Sequence, residues 1–348
     1  MLARLAPVAI RSHLPEVPMN VAGQQVLVTG AGGFIGSHLV ELLVARGARV
    51  RAAVHYNSRD DRGHLELLAP AVADALEVVS LDIQDAFAVD RAVDGCAIVF
   101  HLAALIGIPY SYAAPASYID TNVRGTLHVL EAARRHRTPR VVHTSTSEVY
   151  GTARSTPIDE EHPLQAQSPY AASKIAADKL AESYHRSFDL PVATLRPFNA
   201  YGPRQSARAV IPTIVTQLAS GARTVRLGHL APIRDYTFVT DTARAFVAVA
   251  ESDAAVGQVS NAGAGRGIAI GALAERIRAR MGVDAEIVAD PGRMRPEASE
   301  VFELVAATDK IRERTGWQPE VGLDEGLDRV IAFVRDHLDM YRVSDYVV

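Results

Sequence analysis

Tyr170 and Lys174 stand four residues apart in Tyr170-Ala171-Ala172-Ser173-Lys174, which places a phenol and an ammonium one turn apart on one helix face. The chain has 11 tyrosines but only three lysines (Lys174, Lys179 and Lys310), so chance would supply such a pair well under once. An ammonium beside a phenol favours the phenolate and draws its pKa down from about 10 toward neutrality. Such a base can take the proton of a hydroxyl while the neighbouring carbon gives up hydride. A second group of reactive residues follows the run Val141-Val142-His143-Thr144-Ser145-Thr146. There Thr146 can hydrogen-bond the oxygen being oxidised, and Glu148, facing a dry cleft, can act as a base on carbon.

Hydride transfer needs an acceptor, and Thr29-Gly30-Ala31-Gly32-Gly33-Phe34-Ile35-Gly36 provides a cradle for a dinucleotide. Gly30, Gly33 and Gly36 serve a tight turn, close approach to a pyrophosphate and close helix packing, while the helix opening at Phe34 and Ile35 turns its positive end toward the phosphates. The ribose-binding Asp or Glu that usually closes the second strand is missing. Val54-His55-Tyr56-Asn57-Ser58-Arg59 stands in its place, so Asn57 and Arg59 are expected near the cofactor, and NADP stays open beside NAD. Asp82 and Ile83 are a reasonable seat for the adenine, and Leu102, Ala103 and Ala104 should pass beneath the cofactor. His101 reads as a packed, hydrogen-bonded histidine.

These residues need a scaffold that brings them together. From residue 25, short β-rich runs alternate with amphipathic stretches, the signature of a parallel sheet with crossover helices. Strands are expected at 25–29, 48–54, 76–81, 97–103, 140–145 and 192–196, with helices at 34–46, 85–94, 115–137 and 168–188. Ser168 and Pro169 make a good helix start ahead of Tyr170, serine as cap and proline in first position. The expected fold is α/β, a doubly wound (Rossmann) parallel sheet over 21–200, followed by a smaller mixed α/β substrate domain over 201–348. A segment around 234–262 is expected to return to the sheet. Residues 1–20, with three prolines and no long apolar run, read as a disordered leader.

Composition narrows the function classes. The 348 residues are 48% hydrophobic and 22% charged, with 36 basic and 40 acidic side chains and a net charge of −4. No dense basic block suits nucleic acid, and no segment suits a membrane. A lone cysteine, Cys96, rules out an internal disulfide, points to the cytoplasm and reads as core packing. No Cys/His spacing suggests a metal.

Four motifs together resemble the extended short-chain dehydrogenase/reductase family and, within it, the NAD-dependent nucleotide-sugar epimerases and dehydratases. They are Thr-Gly-x-Gly-Gly-Phe-Ile-Gly at 29–36, Tyr-x-x-x-Lys at 170–174, Arg196-Pro197-Phe198-Asn199-x-Tyr201-Gly202-Pro203, and Thr315-Gly316-Trp317-x-Pro319. Thr146-Ser147-Glu148 is similar to the triplet of sugar 4,6-dehydratases, and the runs 143–151, 167–174 and 293–301 look most like dehydratases of legionaminic-acid-type pathways. The resemblance implies that Tyr170 deprotonates O4, Glu148 takes the C5 proton and water leaves from C6, giving a 4-keto-6-deoxy sugar nucleotide. Ser147 stands where many dTDP-glucose dehydratases carry an aspartic acid, so Glu148 or a water held by Ser147 must protonate the leaving hydroxyl. The resemblance also implies Pro197 at the cofactor; Asn199, Arg204, Arg234 and Arg295 on a nucleotide diphosphate; and a homodimer through a four-helix bundle of the 115–137 and 168–188 helices. A 4-epimerase, a UDP-glucuronate decarboxylase and a non-catalytic dinucleotide sensor are the rival readings.

Overall fold

The computed structural model describes residues 19–341; most of the expected leader therefore lies outside the described residues. Six expected strands form as β1 (Gln25–Thr29), β2 (Arg49–Val54), β3 (Leu76–Ser80), β4 (Ile98–His101), β5 (Arg140–Thr144) and β6 (Val192–Pro197). Among the described residues they join a seventh, Val259–Ala262, in one parallel sheet ordered Val259–Ala262, β6, β5, β4, β1, β2, β3. Strand order reverses between β1 and β4, so the crevice where a doubly wound sheet takes its ligand opens beyond Thr29 and His101.

The inner strands β1, β4, β5 and β6 are buried on both faces, which is why they read as largely apolar runs rather than alternating ones. Val26 and Val28 of β1 pack with Leu39 and Leu43 of α1 (Phe34–Ala45) and with Phe246 and Val249 of the Val239–Glu251 helix. Leu27 and Val99 face Val129, Ala133 and Ala181 on the opposite side. The Val239–Glu251 helix and the Val259–Ala262 strand are the segment that returns to the sheet. Ile233–Phe238 instead lies in a small sheet with Asn199–Tyr201, Gly267–Ala269 and Glu303–Leu304. With the helices Val210–Ala219, Ile270–Met281 and Leu323–Asp336 it makes a second core around Ile214, Leu273 and Leu327.

One expected helix is interrupted. Over 115–137 the chain makes a short helix, Pro115–Tyr118, then a π-helical turn at Ile119–Arg124, then Gly125–His136. The Asn122 side chain explains the turn: its amide spans the backbone of Leu105, accepting from the N–H at 2.8 Å and donating to the carbonyl at 2.9 Å, and also donates to Ser173 Oγ at 2.9 Å. Such bulges often mark functional sites.

The glycine turn after β1 has no room for side chains. Gly30 has φ +71°, and a Cβ there would lie 2.9 Å from the Ala103 nitrogen; a Cβ at Gly36 would lie 2.2 Å from the Gly30 carbonyl oxygen. Gly36→Ala is therefore expected to destabilise the protein by about 1–3 kcal/mol, the usual cost of forcing atoms into a packed site. Urea unfolding of the variant checks this.

Candidate active site

The floor of the crevice is a hydrogen-bonded chain. Thr29 Oγ accepts the N–H groups of Leu102 and Ala103, both at 3.1 Å, so its proton goes to His101 Nδ1 at 2.9 Å. His101 Nε2 then donates to Thr126 Oγ at 3.1 Å, and Thr126 donates to the Asn122 carbonyl at 2.6 Å. Burial, with His143 and Lys174 nearby, holds the His101 pKa well below its ordinary value, so this histidine is neutral and clamps the floor.

Above the floor, a cavity of about 790 Å3 is lined by Gly30, Gly33, Phe34, Ile35, Gly36, Asn57, Leu102, Ala103, Ala104, Thr146, Ser147, Glu148, Tyr170, Lys174, Pro197, Asn199 and Arg295. Most sequence-expected residues thus share one space. A second cavity of about 270 Å3 holds Arg208, Arg226, Arg234, Arg293 and Arg295, and shares Glu148 and Asn199 with the first. Buried polar atoms without a hydrogen-bond partner face this region: Asn199 Oδ1, Arg295 Nη1 and the Tyr236 hydroxyl. A glycine turn with no room for a Cβ at Gly30 or Gly36, and the unpaired donors Arg295 Nη1 and Tyr236 hydroxyl along the wall, suit a dinucleotide beside an anionic second ligand.

Four expected residues fall outside this space. Arg204, at φ +69°, makes a bidentate pair with Glu41 of α1, at 2.6 and 3.1 Å, and is no part of the arginine cluster. The loop that carries it packs on α1, so its charge is consumed there. Arg59 is exposed and outside the cavity wall, because Asn57 folds the chain past β2 into a turn that brings Asp61 and Arg62 to the wall instead. Asp82 points to solvent near His55, and Ile83 packs under Gly125.

The helix Pro169–Phe188 carries the reactive pair. Ser168 caps it by accepting the Ala171 N–H at 3.1 Å, and Pro169 occupies its first turn. Tyr170 is buried against Tyr118, their rings edge to face at 6.2 Å. Burial drives the Tyr170 phenol well above its ordinary pKa; a hydrogen bond with Thr146 opposes this, and Glu148 and Tyr118 add to it. The lowered pKa expected from Lys174 is therefore not found. The ammonium instead donates to the Thr144 carbonyl at 2.6 Å, and its own pKa is brought down to about 8 by burial, with Asp178 opposing.

Asp178, one turn beyond Lys174, is the residue that motif reading missed, although its i, i+4 spacing was visible. It is buried and accepts from Ser145 Oγ at 2.8 Å, His143 Nε2 at 3.1 Å, and Arg196 Nε and Nη2 at 3.1 and 2.9 Å. Burial alone would raise its pKa, but the His143 hydrogen bond and the Arg196 and Lys174 charges outweigh it and hold it at about 2. Arg196 continues to Tyr150, whose hydroxyl donates to Asn261 on the seventh strand at 2.7 Å.

The sequence model of the GDP-mannose 4,6 dehydratase family matches residues 27–330. The chain belongs to this family, within the extended short-chain dehydrogenases/reductases. Members of the GDP-mannose 4,6 dehydratase family and their kin differ in reaction, and the relatives of this chain divide accordingly. It is 35% identical to a UDP-glucose 4-epimerase of Mycolicibacterium smegmatis, over 90% of this chain and 99% of that one. It is 34% identical to a dTDP-glucose 4,6-dehydratase of Streptomyces niveus, over 90% and 93%. Among solved structures it matches the dTDP-glucose 4,6-dehydratase DesIV of Streptomyces venezuelae, which has NAD and TYD bound, with a TM-score of 0.81 at 31% identity, covering 91% of this chain and 99% of that one.

Asp178→Asn leaves the buried Arg196 without its counter-charge, and about 3–5 kcal/mol of stability should be lost at pH 7. The native carboxylate titrates near 2, below its unfolded value, so its contribution is present above about pH 4 and fades as pH falls through 2. The gap between wild type and variant in urea unfolding should therefore narrow between pH 4 and pH 2.

Proposed function

We propose that the protein is a nucleotide-sugar 4,6-dehydratase that binds NAD and converts a hexose into its 4-keto-6-deoxy form. The observation that carries this reading is the presence of Glu148 and Tyr170 in one cavity wall, with Thr146 hydrogen-bonded to the phenol. A carboxylate there is what removal of a C5 proton requires.

A nicotinamide coenzyme bound here would supply the hydride acceptor and donor. Gly30, Gly33, Gly36, Ala103 and Pro197 hold it. Arg234, Arg295 and Asn199 hold the diphosphate of the substrate, joined by Arg208 and Arg226, which the motifs did not single out. Charge-assisted arginine contacts to phosphate are strong enough to fix the sugar over Tyr170. Thr146 orients O4, and Tyr170 takes the O4 proton, which its buried position permits only when cations offset the cost of the phenolate. Lys174 is the nearest such cation on its own helix face. Once C4 is a ketone the C5 proton is acidic; Glu148 removes it and returns it to the departing C6 hydroxyl, which leaves as water, and the hydride taken from C4 is then given back at C6 while a proton, equal to the one Tyr170 took from O4, is delivered to C5. This return by Glu148 fits the serine at 147, a weak acid in the place of a stronger one.

The second reading is a 4-epimerase, supported by the 35% identical Mycolicibacterium smegmatis relative. It uses Tyr170 and Lys174 but has no task for Glu148 as a carbon base. The likeness of the 293–301 run to legionaminic-type dehydratases favours the first reading. A homodimer through the helices of the 115–137 and 168–188 regions accompanies the proposal.

Incubation with dTDP-glucose, UDP-GlcNAc, GDP-GlcNAc and UDP-glucuronate, read by mass spectrometry, separates the reactions. A dehydratase product is lighter by one water, an epimerase product is unchanged in mass, and a decarboxylase product has lost carbon dioxide. Glu148→Gln is expected to abolish water loss while leaving transient coenzyme reduction visible by absorbance; unchanged dehydration would remove Glu148 from the mechanism. Tyr170→Phe should lose both signals, with turnover down at least about 100-fold, the usual contribution of a positioned acid or base.

A further inference from the structure

Where a carboxylate usually ends the second strand, this chain has Val54, and the expected substitute Arg59 turns away from the cleft. The turn that Asn57 builds has a definite result. Asn57 Oδ1 accepts the N–H groups of Arg59 and Asp61, both at 3.1 Å, and its amide donates to the Asp61 carbonyl at 2.7 Å. Asp61 Oδ1 accepts the Gly63 N–H at 2.7 Å, and the His64 N–H donates to the Gly32 carbonyl at 2.9 Å. The two segments touch so closely that a Cβ on Gly32 would lie 2.5 Å from the Arg62 carbonyl oxygen, and one on Gly63 would lie 2.5 Å from that of Gly32. Asp61 is thereby carried back to the rim of the glycine turn and lines the same cavity as Gly30, Gly32, Gly33 and Gly36.

We propose that Asp61 reads the adenosine ribose of the dinucleotide, its carboxylate accepting the hydrogen bonds of the 2′- and 3′-hydroxyls, and so selects the coenzyme without a 2′-phosphate. The inference rests on reading the cleft as a dinucleotide site. One Asp61 oxygen is fixed by Gly63, and the other has no hydrogen-bond partner among the described residues. The unpaired Asp61 oxygen at the wall favours a neutral diol. Arg62 also lines the wall, but its guanidinium lies 3.8 Å from the Asp60 carboxylate and its backbone N–H binds Glu66 Oε1 at 3.1 Å. A 2′-phosphate would meet the Asp61 carboxylate at this wall, and like charges at contact repel. A ribose diol has two donors for a carboxylate that can only accept.

The test is titration calorimetry of NAD and NADP into the full chain, its Asp61→Asn variant and its Arg62→Ala variant. Asp61→Asn keeps an oxygen for the Gly63 N–H, so the turn survives, which an unchanged melting temperature verifies. The wild type should bind NAD at least about tenfold more tightly than NADP, the scale of a hydrogen bond to a charged group. Asp61→Asn should weaken NAD, strengthen NADP and erase most of that ratio, while Arg62→Ala leaves the order of preference intact. Equal or tighter binding of NADP by the wild type, a ratio untouched by Asp61→Asn, or a preference that follows Arg62 would overturn the assignment and leave the dinucleotide reading standing. Binding of neither coenzyme would overturn both.

Discussion

The Asp178 carboxylate is the junction on which the site depends. It receives hydrogen bonds from Ser145 just past β5, from His143 within β5 and from Arg196 at the end of β6, while itself sitting on the helix that carries Tyr170 and Lys174. A buried charge is tolerated only with full compensation, and here the compensation comes from separate elements that must arrive together. The rotation of the helix about its axis is thereby fixed, and with it the direction in which Tyr170 faces. The same carboxylate also acts as a counter-charge to Lys174, opposing the effect of burial on its ammonium.

Most of the sheet was legible in the sequence because its strands are short runs rich in Val, Ile, Leu and Ala, buried on both faces in β1, β4, β5 and β6. The exception, Val259–Ala262, is four residues long and carries Ser260 and Asn261 in its middle. Its polarity gives it no strand pattern of its own, so the sequence places it only within the 234–262 segment that returns to the sheet. Asn261 is buried because its amide group is satisfied by Tyr150 and by the Ile158 carbonyl, a tertiary arrangement that no local pattern announces. The π-helical turn at Ile119–Arg124 was hidden for the same reason, since Asn122 reads as an ordinary helical residue until Leu105 and Ser173 are beside it.

That Tyr170, Lys174, Thr146 and Glu148 share one cavity wall was legible because their spacing is local: a turn of helix for Tyr170 and Lys174, a strand end for Thr146 and Glu148. The arginines were not. With so many in the chain, side-chain type does not sort those that meet a ligand from those that meet a carboxylate, and the fold decides. Arg234 and Arg295 lie in the basic cavity, Arg208 and Arg226 join them unforeseen, and Arg204 goes elsewhere. The ammonium at Lys174 was placed correctly on its helix, but its partner is a backbone carbonyl, and the phenol it was expected to acidify is dominated by burial.

The pairing of Arg204 with Glu41 has a further consequence. Its loop follows the Asn199–Tyr201 strand, whose Asn199 lies in the wall of both cavities, while Glu41 belongs to the helix that opens from the glycine turn. His38 reinforces the seam through the Pro203 carbonyl. The two halves of the crevice are thus riveted together on the outside, and their mutual alignment is settled during folding instead of being rebuilt at every turnover. Much of the ordering that two ligands would otherwise impose on one another is already present in the scaffold that receives them.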